Sequence, residues 1–309
     1  MYHILVNPAS KSGRGLRIFE KLEPVLRKRQ IPYELIQSTH VGHITEIVKD
    51  LTASSEKIRL IVLGGDGTMN EVLQGIRDFS LIEIGYIPSG SSNDLARALH
   101  LPKDPLILLD RILSGNRKCL VDLGKLTYIS EDTGSTASKY FIVSSGIGFD
   151  AAVCEESISS PFKNTLNKLK LGKLTYVAIA LKQLIAARRV SCDLILDEHK
   201  TIHMKRFLFI ASMNHPYEGG GFMFCPKADN TDGFLDLCAV GPIPKLLILF
   251  ALPTAYFGKH TIFPKISLYQ ASKAEIRSSI PLWVHTDGEV YFKSSHIYLS
   301  CEKQALTLL

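Results

Sequence analysis

The sequence predicts an α/β + β molecule. An N-terminal doubly wound parallel α/β domain over residues 1–122 is followed by a mostly antiparallel β-sandwich domain with inserted helices over residues 123–309. Three observations carry this. In the first part, short apolar runs alternate with segments of helical period, the mark of repeated β-α-β units. Ile58–Leu63 is almost wholly apolar, as a central parallel strand covered on both faces must be. Beyond Asp122, short strand-like runs are separated by Gly, Asn, Asp or Ser turns.

Taken in order, Tyr2–Val6 reads as a strand, and Gly15–Arg29 as a helix with Leu16, Phe19, Leu22 and Leu26 on one face. Tyr33–Ile36 is a strand, and Ile44–Leu51 a helix with Ile44, Ile47, Val48 and Leu51 inward. After the central strand come a helix at Met69–Ile76, a strand at Ile82–Ile87, and helices opening at Asp94 and Pro105. In the second part, strands are expected at Leu123–Tyr128, Tyr140–Ser144, Cys192–Leu196, His203–Ser212, Phe234–Val240, Lys265–Tyr269, Lys273–Arg277, Trp283–His285 and Ile297–Ser300. Helices interrupt them at Thr165–Ala187 and Lys245–Phe257. The last strand has room to return toward the first domain.

Of the 309 residues, 46% are hydrophobic and 21% charged, a globular composition that excludes a wholly disordered or collagen-like chain. The 36 Lys and Arg against 30 Asp and Glu leave a charge of +6, compatible with nucleic acid, an anionic membrane or a phosphorylated ligand. The N-terminus lacks the basic and apolar segments of a secretory signal. The six cysteines form no C-x-x-C pair. Both features point to the cytoplasm and to free thiols. No run approaches the ~20 apolar residues of a spanning helix. The longest, Leu246–Leu252, suits a buried or interfacial helix.

Three turns at strand ends carry the chemistry. Gly64-Gly65-Asp66-Gly67-Thr68 leaves the central strand and opens a helix. Its glycines let the backbone approach an anion, and the helix start offers unpaired N–H groups. Asp66 stands where a carboxylate would hold a metal on phosphates, and Thr68 where a hydroxyl caps the helix or bonds a phosphate. Pro88-Ser89-Gly90-Ser91-Ser92-Asn93-Asp94 follows the next strand, and Asn7-Pro8-Ala9-Ser10-Lys11-Ser12-Gly13 the first. All three fall at the C-terminal edge of one parallel sheet, where open α/β folds gather ligands. Neither a P-loop nor a G-x-G-x-x-G fingerprint is present.

Gly64–Gly75, read G-G-D-G-T-M-N-E-V-L-Q-G, resembles the nucleotide loop of the diacylglycerol kinase catalytic-domain family, whose superfamily includes sphingosine kinases, bacterial lipid kinases and, more distantly, NAD kinases. Asn7-Pro8 with Ser10 resembles its first loop, Thr39 its nucleotide-contacting threonine, and Ser89–Asp94 its G-T-x-N-D turn. Gly146–Asp150, Asp232–Asp236 and Asp287–Glu289 match its later motifs in order, so the likeness runs from about residue 4 to 300. It implies ATP as co-substrate, held by Asn7, Pro8, Ser10, Thr39, Gly64, Gly65, Asp66, Gly67, Thr68, Asn70, Glu71, Gly90, Ser91, Asn93 and Asp94. Mg²⁺ is expected on the phosphates near Asp66.

His285-Thr286-Asp287-Gly288-Glu289 reads by itself as a hairpin turn, since Asp-Gly is a favoured turn pair. The resemblance adds a role: Glu289 as the general base that takes a proton from a lipid hydroxyl, with Asp287 and Asp66 beside it. Phosphoryl transfer asks mainly for positioning and electrostatics. Lys227–Phe234 alternates oxygen donors, alone a turn or a weak hard-cation site. The resemblance implies a structural Mg²⁺ on Asp229, Asp232 and the Phe234 carbonyl. Thr231 stands where the family has a further Asp, and Ser91 where it has Thr.

His40 and His43 read as surface or capping residues. His215, before Gly219-Gly220-Gly221, reads as part of a connector or of a mobile loop near the acceptor. Residues 157–192 hold seven Lys or Arg and no Asp or Glu, so the remainder, with 29 basic and 30 acidic residues, is near neutral. This cluster accompanies an apolar helix face at Leu174, Val177, Ala178, Leu181, Leu184 and Ile185. The alternatives are a helix packed on its own sheet and an anionic membrane surface. The leading expectation is a cytoplasmic, peripherally membrane-associated lipid kinase with a lipid substrate and no nucleic-acid partner, a homodimer being left open. An NAD kinase-like enzyme and a non-catalytic nucleotide-binding regulator are the alternatives.

Overall fold

The computed structural model describes residues 1–8, 10, 13–129, 134–159 and 172–309, and the side chains of 172–177 lie outside that description. In the N-terminal part, β1 (Tyr2–Val6), β2 (Tyr33–Gln37), β3 (Ile58–Gly64) and β4 (Ile82–Pro88) pair in parallel in the order β4-β3-β1-β2. Leu60–Leu63 of β3 are wholly buried because helices cover both faces. On one face, α1 (Arg14–Lys28) sets Ile18, Phe19, Leu22 and Leu26 into a core shared with α5 (Pro105–Ser114). On the other, α2 (His43–Leu51) and α3 (Asp66–Gly75) bury Ile44, Val48, Met69 and Leu73. Between β4 and α5, α4 (Asp94–Ala98) is short.

The C-terminal part is an antiparallel β-sandwich. Its strands are β5 (Cys119–Ile129), β6 (Thr136–Phe141), β7 (Ser144–Gly148), β8 (Val190–Leu196), β9 (Lys200–Phe207), β10 (Phe209–Met213), β13 (Leu235–Val240), β14 (Ile266–Ala271), β15 (Lys273–Thr286) and β16 (Glu289–Leu308). Two short strands, β11 (Tyr217–Glu218) and β12 (Phe222–Met223), pair only with each other. Leu126, Phe141, Ile147, Leu194, Ile276 and Ile297 are among the side chains that fill the layer between the strands. Hydrogen bonding runs without a break from β14 to β2, because the end of β16 lies parallel to β4, with Thr307 beside Glu83 and Leu308 beside Ile84. The two parts therefore share one sheet, and β16 carries residues near the site directly into the first core.

Several elements differ from the sequence pattern. Lys273–Arg277 and Trp283–His285 are one strand, β15, interrupted by a register shift between Arg277 and Leu282. His203–Ser212 divides at Leu208, where the backbone N–H turns to Val240 and the carbonyl to Phe149. A helix the periodicity did not show, α6 (Phe149–Ser159), follows β7 directly. Of the basic helical stretch, α7 (Gly172–Ala186) is described, with Leu184 buried and Ile185 exposed. Lys163, Lys168 and Lys170 lie outside the described residues, as does the side chain of Lys173. The second inserted helix, α8, covers Lys245–Ala255.

Candidate functional site

The three strand-end turns meet. Ser89 N–H donates to the Gly64 carbonyl at 2.8 Å, binding the second turn to the first. A Cβ built on Gly90 would stand 2.6 Å from Gly65 Cα, so only glycine allows the two backbones this approach. Asn7 Nδ2 donates to Thr68 Oγ1 at 3.2 Å, and the Ser10 and Ser89 hydroxyls are 3.2 Å apart, which draws in the loop after β1. Ala9, Lys11 and Ser12 of that loop lie outside the described residues.

Asp66 opens α3, and both its oxygens reach the start of α4: Asp94 N–H donates to Oδ2 at 3.0 Å and Leu95 N–H to Oδ1 at 3.2 Å. Burial raises its pKa, against the pull of those N–H donors. The carboxylate thus fixes one helix start against another. Asp94 in turn accepts the Gly220 N–H at 2.7 Å and a bond from Arg97 at 3.2 Å, with burial pushing it up to about 6. Asn93 sits at φ +52° and donates to the Gly90 carbonyl, while its Oδ1 is buried with no partner among the described residues.

Thr39 and Glu71 lie toward α2. The Thr39 N–H donates to His43 Nδ1 at 3.1 Å, and the His40 ring stacks on that of His43. Glu71 accepts the Gly42 N–H at 3.1 Å. Burial raises its pKa, and the Glu289 charge adds to this.

The β15–β16 hairpin reaches this edge from the second part. Asp287 and Gly288 form a two-residue turn with φ of +51° and +84°, the geometry Asp-Gly favours between twisted strands. Asp287 Oδ2 accepts from Asn70 Nδ2 at 2.9 Å and Ile142 N–H at 3.2 Å, and Oδ1 from Val143 N–H at 2.8 Å and Ser144 N–H at 3.0 Å. Burial pushes this carboxyl up to about 6 against those donors. Asp287 therefore locks α3 to the hairpin, with Asn70 also accepting from the Tyr291 hydroxyl at 3.3 Å. The lock places Glu289 at the first turn of α3, where a Cβ on Gly67 would stand 3.1 Å from Glu289 Oε1.

Behind the hairpin lies a group the motif reading touched without assigning. His285 is fully buried, with Nε2 2.8 Å from Asp150 Oδ2 and 3.5 Å from Glu218 Oε1. Gly288 N–H donates to Nδ1 at 3.1 Å, so the imidazole supports the turn one residue before Glu289. Burial lowers the His285 pKa, but the Asp150 and Glu218 carboxylates outweigh it and raise it overall. Glu218 accepts from the Ser144 hydroxyl at 2.8 Å and is pushed up to about 8 by burial and the Asp150 charge. Its position before three glycines was the available sequence signal. His215 is buried and kept neutral, its pKa lowered to about 3 by burial.

The Asp229–Phe234 turn leads into β13. Buried Asp122 pins it, accepting the Gly233 N–H and Gln304 N–H at 2.6 Å each. Asp229 accepts from Thr231 N–H and hydroxyl, and Asp232 from Phe234 N–H at 2.9 Å and Gln270 Nε2 at 3.0 Å. Asp236 Oδ2 is buried without a partner among the described residues. Its pKa rises to about 6 from burial and the charges of Asp232 and Asp229.

Residues 1–126 match the model of the diacylglycerol kinase catalytic domain, and residues 143–309 that of the YegS C-terminal NAD kinase beta sandwich-like domain. A Bacillus subtilis protein provisionally named as the lipid kinase YtlR is 28% identical over 293 residues, covering 94% of this chain and 93% of its own. A Staphylococcus aureus diacylglycerol kinase is 28% identical over 314 residues, covering 97% and 89%. Among solved structures, a diacylglycerol kinase from Bacillus anthracis superposes with a TM-score of 0.71 at 21% identity over 99% of this chain and 96% of its own. Yeast NADH kinase in complex with NADH does so at 0.56 and 10% identity, over 100% and 82%. These two show a shared fold. With one model matched on each part, in the order the motifs require, the chain carries a diacylglycerol kinase catalytic domain and belongs, by the model that matches more than half of it, to the family with the YegS C-terminal NAD kinase beta sandwich-like domain.

Proposed function

We propose that this protein is an ATP-dependent lipid kinase, transferring the γ-phosphate of ATP to a hydroxyl of a membrane lipid such as diacylglycerol, with Glu289 as general base. The observation that carries the reading is the closeness of Glu289 to Gly67. It sets a carboxylate at the N-terminal turn of the helix whose free N–H groups would receive the phosphates. Asp287 and Asp66 serve this arrangement by fixing the hairpin and α4 against α3. The residues present fit a nucleotide: the contact of Gly65 with Gly90 brings two strand-end turns together at the start of α3, and the buried Asn93 Oδ1 beside them lacks a donor among the described residues.

They also fit divalent cations. Asp229, Asp232 and the Phe234 carbonyl would hold a structural Mg²⁺, whose charge would relieve the crowded Asp236 carboxylate. A second Mg²⁺, held on the nucleotide near Asp66, would neutralise charge on the β- and γ-phosphates. The relatives named as a lipid kinase and a diacylglycerol kinase, which match nearly the whole chain, support a lipid acceptor over a water-soluble one. No described helix is long and apolar enough to cross a membrane, and we place the enzyme peripherally on the cytoplasmic face.

The test is incubation of purified protein with labelled ATP, Mg²⁺, a panel of lipids and NAD, with products resolved. Label is expected in a lipid. Label only in NAD would overturn the lipid reading, and tight ATP binding without any product would favour a regulator.

A further inference from the structure

Helix α8 carries an apolar face that the protein does not cover. Leu246 and Phe250, one helical turn apart, are 67% and 61% exposed, and Phe257, in the turn after the helix, is 69% exposed. Ile262 extends this face past the helix end, and Ile185 joins it from α7, because Lys245 Nζ donates to the Ile185 carbonyl at 2.6 Å. Isolated exposed hydrophobics are ordinary, but a contiguous face of large ones marks an interaction surface.

The charges around it specify the occupant. From Leu237 to Ser272 the chain has three lysines, at 245, 259 and 265, and no acid. From the α7 side Arg189 donates to the Ile243 carbonyl just before the helix, and the Glu156 carboxylate is paired with Lys182. A large apolar face rimmed by cations matches the interface of an anionic bilayer, where side chains enter the acyl boundary and lysines meet headgroups. The face also connects to the site. The Tyr256 ring packs on Phe222, its hydroxyl reaches the Gly220 carbonyl at 3.5 Å, and Gly220 N–H is held by Asp94.

We infer that α8 and the turn after it, Leu246 to Ile262, form a wedge that inserts into anionic membrane and sets the loop beside the nucleotide site at the bilayer surface. This rests on the lipid-kinase reading only for the choice of a bilayer. It differs from an electrostatic contact by residues 157–192 in requiring apolar insertion.

The experiment is vesicle sedimentation of the full chain with phosphatidylcholine alone and with added phosphatidylglycerol. It compares the wild type with Leu246→Ser, Phe250→Ser and Phe257→Ser, singly and together. The wild type is expected to prefer anionic vesicles, and partitioning to fall by roughly tenfold per side chain removed. Turnover of a dispersed short-chain diacylglycerol should be unchanged in the triple variant. Equal vesicle binding by wild type and triple variant overturns the wedge, as does a wild-type dimer in solution that the triple variant converts to monomer. Failure of the kinase reading would appear separately, as no turnover of the dispersed lipid by either protein.

Discussion

Gly67→Ala separates the chemistry of the site from its stability. Gly67 is the second residue of α3 and its φ lies outside the left-handed region, so alanine meets no backbone strain there. Alanine in place of a helical glycine ordinarily stabilises by about 0.5–1 kcal/mol. The cost falls on Glu289, because the new Cβ would stand 3.1 Å from Oε1, a few tenths of an ångström inside ordinary contact. The Cβ would also fill part of the space that phosphates require. A misplacement of about 1 Å can cost 10²-fold in rate, so a shift of a few tenths together with the lost space predicts roughly a tenfold fall in kcat/KM. The assays are urea unfolding and initial rates of lipid phosphorylation on the same preparations. Unchanged or raised stability with lowered kcat/KM is expected. Wild-type kcat/KM would refute the contact between Glu289 and the helix start, and a large loss of stability would show that Gly67 serves the fold.

Three further outcomes are expected. Gly146→Ala would bring a Cβ to 2.1 Å from Asp150 Oδ2 and 2.5 Å from His285 Nε2. Such overpacking costs about 1–3 kcal/mol, read as a lower urea midpoint, and an unchanged midpoint would contradict the buried pair. Asp94, Asp236 and Asp287 are each pushed up to about 6 by burial. The folded chain therefore keeps protons that the unfolded chain, with carboxylates near 4, has released. Their contribution to stability declines as pH rises from about 4 to about 6 and is level above. His215 and His260, held neutral by burial, act oppositely over part of this range, so the readout is a difference. Asp236→Asn should gain on the wild type as pH climbs through that window, and a pH-independent difference would refute it. Mg²⁺ should raise the wild-type Tm, and Asp232→Asn should abolish that rise. An equal rise in both would remove the cation from this turn.

Much of the first part was legible in the sequence because local rules decide it. A parallel strand buried on both faces must read as an apolar run, as Ile58–Leu63 does, and Gly-rich turns at strand ends need no distant partner to be recognised. The Asp287-Gly288 hairpin was visible for the same reason. What composition and periodicity left open depends on long-range pairing. Asp66 reaches N–H groups 28 and 29 residues away, and Asp287 reaches Ser144 across 143 residues. Nothing in the local pattern says that these carboxylates hold backbones together. The His285–Asp150–Glu218 group is assembled from β15, α6 and β11, so no single motif contains it. Helix α6 escaped because its apolar residues follow no single face. The length of β16 escaped because Glu302, Lys303 and Gln304 break its apolar pattern, and the strand beyond them is fixed by β5 alongside.

We propose that the turns after β1, β3 and β4 bind a nucleotide whose phosphate is passed to an acceptor deprotonated by Glu289. The most direct measurement is Glu289→Gln, assayed for lipid phosphorylation and for ATP affinity by calorimetry. Turnover is expected to fall by about 10²-fold or more, with nucleotide affinity within a few-fold of wild type. Near wild-type turnover in Glu289→Gln would contradict it.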